Sequence, residues 1–159
     1  MPFAFPPGSP YLLPGLHPAT VDDVEATLVS GFPSSSTRRE IFDGWMGLRG
    51  AITEVVSLRE HWLDGSYVTT KEHPGDADLV VHLDGNEVEA LAPLAEATLN
   101  GLVAGPASKA TWRCDSYPLV EYPPDHPMRG LYEDARRYWE SFFGHDRAGV
   151  PKGIVEVMP

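Results

Sequence analysis

Apolar positions recur at three and four residues along 38–56: Ile41, Trp45, Leu48, Ile52 and Val55-Val56. That spacing makes one helical face turned to a core. Thr37 followed by Glu40 supplies a capping box at its start. A shorter helix is expected over 21–30, with Thr20 as N-cap, Asp22 and Asp23 in the first turn, and Val21, Val24 and Leu28 on one side. Two short strand patterns follow, at 61–63 and 78–83. In the second, Leu79 and Val81 face one way while Asp78, Val80 and His82 face the other. A helix is next expected from Glu87 to Leu102, with Pro93 in its first turn or at a kink. Over 110–122 the pattern is again that of a strand: Trp112, Cys114 and Ser116 on one face, Arg113, Asp115 and Tyr117 on the other. Residues 129–143 form an amphipathic helix whose aromatic stripe, Tyr138-Trp139 and Phe142-Phe143, reads as core, with Gly144 just past its end. Residues 153–158 supply a final strand.

Residues 1–16 break these periods with prolines at 2, 6, 7, 10 and 14. Phe3, Phe5, Tyr11, Leu12 and Leu13 mark this stretch as an irregular arm packed on the body or a strap for a partner. Residues 17–159 then form a single domain, the size expected of one core. With 42% hydrophobic and 22% charged residues the chain is globular. Its formal charge of −11 repels bulk nucleic acid, leaving room for a focused contact with a tRNA end or for a basic protein partner. A single cysteine, Cys114, excludes an internal disulfide and a cysteine zinc site, and reads as a small buried hydrophobe. His73 and His82 lack a second histidine at ligand spacing and read as structural or surface groups. No apolar run is long enough for a membrane span, and no basic segment precedes an apolar one at the start, so a cytoplasmic protein is expected.

The chemistry concentrates between Trp62 and Leu83. Asp76 and Asp78 are two apart, so on a strand both carboxylates aim at one point. Two carboxylates there repel unless a cation sits between them, and hard divalent ions such as Mg²⁺ prefer oxygen ligands. Upstream, Gly65-Ser66 ends the first strand, where a glycine admits close backbone approach and turn N–H groups can cradle phosphate. A phosphate cradle facing a carboxylate pair suits chemistry on a nucleoside triphosphate. Lys71 in the connector is either a point charge for a phosphate or a solvated loop lysine. Arg147 and Lys152 flank a later turn and are further candidates for phosphate contacts. The same aspartates also suit a plainer role, capping a strand in a Pro-Gly-Asp turn.

Leu63-Asp64-Gly65-Ser66, nine intervening residues, and then Asp76-Ala77-Asp78-Leu79-Val80-Val81 resemble the signature of the DNA polymerase β-like nucleotidyltransferases. The small size is similar to the minimal members, many of which belong to toxin–antitoxin pairs. The resemblance covers about residues 38–120. It implies an α/β (α+β) fold with a small mixed β-sheet backed by helices. It also implies a third carboxylate on a later strand, which Asp115 fits, and a neighbouring Arg113 would keep that group ionised. On this likeness Asp76, Asp78 and Asp115 would be the catalytic metal ligands, holding two Mg²⁺ ions, with Gly65, Ser66 and Lys71 on the triphosphate. The implied reaction moves an NMP from an NTP to a hydroxyl of a protein, a tRNA end or a small molecule, releasing pyrophosphate. Two other classes stay open: a non-catalytic interaction protein on this scaffold, such as an antitoxin or regulatory subunit, and a module that binds metal or nucleotide without turnover.

Overall fold

The computed structural model describes residues 3–159; residues 1 and 2 of the proline-rich arm lie outside them. Among the described residues, one mixed five-stranded sheet is backed by helices on both faces, the α/β class expected. Its strands are β1 (Gly15–Ala19), β2 (His61–Asp64), β3 (Ala77–Asp84), β4 (Cys114–Glu121) and β5 (Gly153–Val157), in the spatial order β1-β5-β2-β3-β4. β1 runs parallel to β5 and β3 parallel to β4, while β2 is antiparallel to both β3 and β5. β1, with Pro18 inside it, is not among the expected strands, while β4 falls within the strand read over 110–122 despite Pro118; both are sheet edges, where a missing N–H is tolerated.

The alternation read in 78–83 sorts the two faces. Leu63, Leu79, Val81 and Leu83 point into the larger core, beneath α2 (Arg38–Thr53). Trp62, Val80, Leu119 and Ile154 point to the other face, beneath Tyr132 and Phe143 of a helix spanning Arg129–Phe143. Trp45 donates from its indole N–H to His61 Nδ1 at 3.1 Å, and burial pushes this histidine down to about 3, so it stays neutral. His82 packs edge-on against Trp62, and burial pushes it down to about 4. Cys114 is buried and pushed up to about 12, an inert thiol. Among the described residues no helix is long and apolar enough to cross a membrane.

Several local expectations change. The helix after Thr20 has its capping box, through Thr20 and Asp23, but only Val21–Val24 (α1) is α-helical; Glu25–Ser30 continues as a π-helical turn. At α2 the capping box is absent. Ser35 Oγ instead accepts from the amides of Thr37 and Arg38, and Glu40 pairs with Arg113 at 3.1 Å. The single helix expected over 87–102 is two: α3 (Gly85–Glu89), capped by Asp84, and α4 (Pro93–Leu102), which places Pro93 at its first turn. Lys109–Trp112 is a helical turn, α5, rather than strand, and Arg113 closes it in the left-handed region at φ 59°. The arm buries Phe3 and Leu12, as expected, and leaves Leu13 exposed.

Candidate active site

Strand register builds the site. Asp64 on β2 pairs with Asp78 on β3, and Asp78 pairs with Asp115 on β4. Residues paired across neighbouring strands share a face, so three carboxylates stand in a row across the sheet. Asp76, one residue before β3, joins them. The row lies on the face covered by the Arg129–Phe143 helix, here α6, at the end of the sheet where β2 stops and β3 and β4 begin.

At that end β2 turns sharply into a 3₁₀ turn, Gly65–Val68. Two constraints require glycine at position 65. Its φ is +77°, and a Cβ there would meet Asp78 Oδ2 at 2.6 Å. The backbone of the Gly-Ser turn thus lies directly against the Asp78 carboxylate.

A cavity of about 960 Å³ opens beside this turn. It is lined by Asp64, Gly65, Ser66, Lys71, Asp76 and Asp78, by Phe142, His145 and Arg147 from the end of α6 and the turn beyond it, and by Lys152, which pairs with Asp64. Gly65, Ser66, Lys71, Asp76 and Asp78 therefore converge as the sequence suggests. Asp115 is not part of the lining, but it belongs to the same cluster through Lys109. The Lys109 ammonium lies 2.7 Å from Asp76 Oδ2 and 3.4 Å from Asp115 Oδ1.

The expected Arg113–Asp115 partnership is absent: Arg113 turns to Glu40, and Lys109 takes its place. The left-handed residue at 113 separates α5 from β4 and sends Lys109 back over the strand starts. The sequence read as continuous strand gave no sign of this reversal.

Electrostatics follow from crowding. Burial, then the charges of Asp76 and Asp115, push the Asp78 carboxyl up to about 6. Burial pushes Asp64 up as well, to about 7, against the pull of Lys152, whose ammonium lies 2.5 Å away in a buried pair. Lys152 immediately precedes β5, so the start of that strand delivers a cation to Asp64. Tyr11 of the arm donates its hydroxyl to Asp146 Oδ2 at 2.8 Å, tying the arm to the turn beyond α6. Asp64, Lys109, Tyr11 and Asp146 were missed as site members. Asp64 alone was visible, one residue before Gly65 and in register with Asp78 once the two strands are paired.

Divalent cation binding can be tested against these residues. Their donor type fits: clustered carboxylates, with Asp115 Oδ1 buried and without a hydrogen bond. The charge fits too, because four carboxylates, Asp64, Asp76, Asp78 and Asp115, face two lysines, Lys109 and Lys152. As the side chains stand, among the described residues no group of three or more His, Cys, Asp or Glu is gathered to hold a metal ion. Lys109 is the tethered cation in that position, and nearly half of its side chain is exposed and free to withdraw. Lys109→Met is expected to tighten Mg²⁺ binding by about 3–10-fold, measured by titration calorimetry at low ionic strength, because it removes the competing charge. Unchanged or weaker binding would mean that Lys109 does not compete for this position.

The chain belongs to a family of unknown function, DUF6932, whose profile matches residues 4–158. No curated protein and no solved structure matches it.

Proposed function

The chain is a member of a family whose function is unknown, and from the geometry of its site we propose that it is a Mg²⁺-dependent nucleotidyltransferase. The observation that carries the reading is the Gly65 backbone lying against Asp78, with Asp76 and Asp115 joined to that carboxylate through strand order, register and Lys109, beside a cavity lined also by Lys71, Arg147 and Lys152. Asp76, Asp78 and Asp115 would hold the metal, with Lys109 displaced. Bound Mg²⁺ supplies charge neutralisation at the α-phosphoryl group and orients the β- and γ-phosphates. Gly65 and Ser66 would meet the triphosphate from the turn beside Asp78, and Lys71 and Arg147, which line the same cavity, would add positive charge. An acceptor hydroxyl oxygen bonds to the α-phosphorus, the bond from that phosphorus to the bridging oxygen breaks, and pyrophosphate leaves. The hydroxyl proton passes to solvent. Positioning and charge, rather than a covalent intermediate, carry the rate. The acidic surface favours a protein or small-molecule acceptor over bulk nucleic acid.

The test is thermal stability with Mg²⁺ and each of the four NTPs, for wild type and Asp76→Asn, followed by pyrophosphate release. A nucleotide at 100 times its dissociation constant stabilises the fold by about 2.7 kcal/mol. The expected result is a Mg²⁺-dependent rise that Asp76→Asn abolishes. Absence of any shift and of pyrophosphate would remove the reading.

One observation favours a second reading. Lys109 already neutralises Asp76 and Asp115 from within the chain, as it would in a non-catalytic interaction protein that keeps the scaffold. That reading expects no nucleotide-dependent shift in wild type.

A further inference from the structure

The helix over 129–143 divides its aromatic residues in a way its periodicity does not show. Tyr132 and Phe143 are buried and Trp139 packs against them, as expected of core. Tyr138 and Phe142 are 57% and 59% exposed. Phe142 lines the cavity that also holds Gly65, Asp76 and Asp78.

Its ring is held rather than loose. Phe142 lies nearly parallel to Tyr138, with centroids 5.8 Å apart and planes at 14°, and edge-on to Trp139 at 5.9 Å and 88°. Trp139 is fixed in turn by Tyr117 at 4.7 Å and by Phe143 at 5.5 Å. Tyr117 stands two residues after Asp115 on the same strand and the same face. An unbroken series of rings therefore runs from the strand that carries Asp115 to the rim of the cavity, and Phe142 is its last member.

An exposed aromatic ring buttressed by other rings, on the lip of a cavity lined mainly by charged and polar residues, offers a flat apolar face; the other phenyl ring there, that of Tyr11, is half-buried with its hydroxyl held by Asp146. Ser141, His145 and Arg147 surround it with polar groups suited to a ring edge or a sugar. We propose that Phe142 is the stacking platform for the nucleobase of the triphosphate. The proposal rests on the nucleotide reading of the same cavity and adds the other end of the ligand to it. Because every base has a π-face, the platform favours nucleotides over bare polyphosphate without choosing the base.

The alternative occupant is a protein segment lying along the exposed stripe of Leu131, Tyr138 and Phe142. The cavity contact of Phe142 favours the base, and the test separates the two. Binding of ATP and of tripolyphosphate, each with Mg²⁺, is measured by calorimetry for wild type, Phe142→Ala, Phe142→Leu and Phe142→Trp. Wild type is expected to prefer ATP by about tenfold. Phe142→Ala and Phe142→Leu abolish that preference and leave tripolyphosphate binding unchanged, while Phe142→Trp retains it. Leucine keeps the apolar area and removes the π-face, so a preference retained in Phe142→Leu overturns the proposal in favour of a general apolar surface. A wild type that binds both ligands equally overturns the platform and leaves the triphosphate site standing. A wild type that binds neither removes the nucleotide reading, and the platform with it.

Discussion

Asp78→Asn is expected to make the metal-free protein more stable at pH 8 and to remove the nucleotide chemistry proposed for its site. The Asp78 carboxyl is crowded by burial and by Asp76 and Asp115, which hold it at about 6 in the fold. Unfolded, it titrates near the ordinary value of about 4. A carboxyl raised in the fold favours folding in its protonated form. That favourable contribution is complete below about pH 4 and is lost as pH rises through about 6. Asparagine mimics the protonated form at every pH. The variant should therefore match wild type at about pH 4 and exceed it by about 1–3 kcal/mol at pH 8.

Urea denaturation in EDTA across that pH range gives the difference curve directly. The difference isolates Asp78 from the buried histidines, whose lowered values act in the opposite direction on both proteins. Stability gained on removing that charge is the trade expected if Asp78 serves the proposed chemistry. A variant that is less stable at pH 8 would show that Asp78 is a structural carboxylate with favourable partners. Pyrophosphate release should fall by about 10²-fold or more in the same variant.

The second large effect is at a residue outside the cavity. Arg38 is wholly buried at the start of α2 and faces carbonyls rather than a carboxylate. Nη1 donates to Leu28 O at 3.0 Å and Tyr67 O at 2.8 Å; Nη2 donates to Thr69 O and Lys71 O, each at 2.7 Å. Phe32 stacks on the guanidinium, 3.8 Å from its centroid. Burial lowers Arg38 to about 10, which leaves it charged at neutral pH.

The fork thus ties the connector after Gly65-Ser66 to the body of the protein. Arg38→Met keeps the volume and leaves those carbonyls without a donor. The expected loss is about 3–5 kcal/mol in urea denaturation. Faster hydrogen exchange is expected at the Thr70 amide, which donates to Pro10 O. Arg38→Lys should fall between, because an ammonium cannot match a planar fork. A loss under about 1 kcal/mol in Arg38→Met would show that the connector holds itself.

What the sequence disclosed and what it hid divide along physical lines. The alternation in Leu79, Val80 and Val81 was enough to orient β3, because a strand between two cores must sort its side chains. The bounds of the last helix and last strand were also legible. Lys109 was not, since its role depends on one left-handed residue at Arg113 that no periodicity signals. Asp64 stood in plain view beside Gly65, but its part in the site becomes legible only once β2 is put in register with Asp78. Arg38 had only the pattern of a helix start, and its partners are main-chain carbonyls, which leave no trace in side-chain identity. The exposed half of the aromatic stripe failed for a related reason: helical spacing counts rings but does not say which ones a sheet can cover.

The sheet order also sets a clock. Among the described strands β5 follows the other four in sequence, yet it lies between β1 and β2. While a ribosome is still making residues before Gly153, β1 has no partner, β2 has one side open, and Asp64 has no lysine. The hairpin-like β2–β3 pair can form early, but the parallel β1–β5 contact must close a loop of well over 100 residues. The nascent chain therefore completes its sheet and its charged site in one late step, and until then it carries two open strand edges that a chaperone or another nascent chain can occupy.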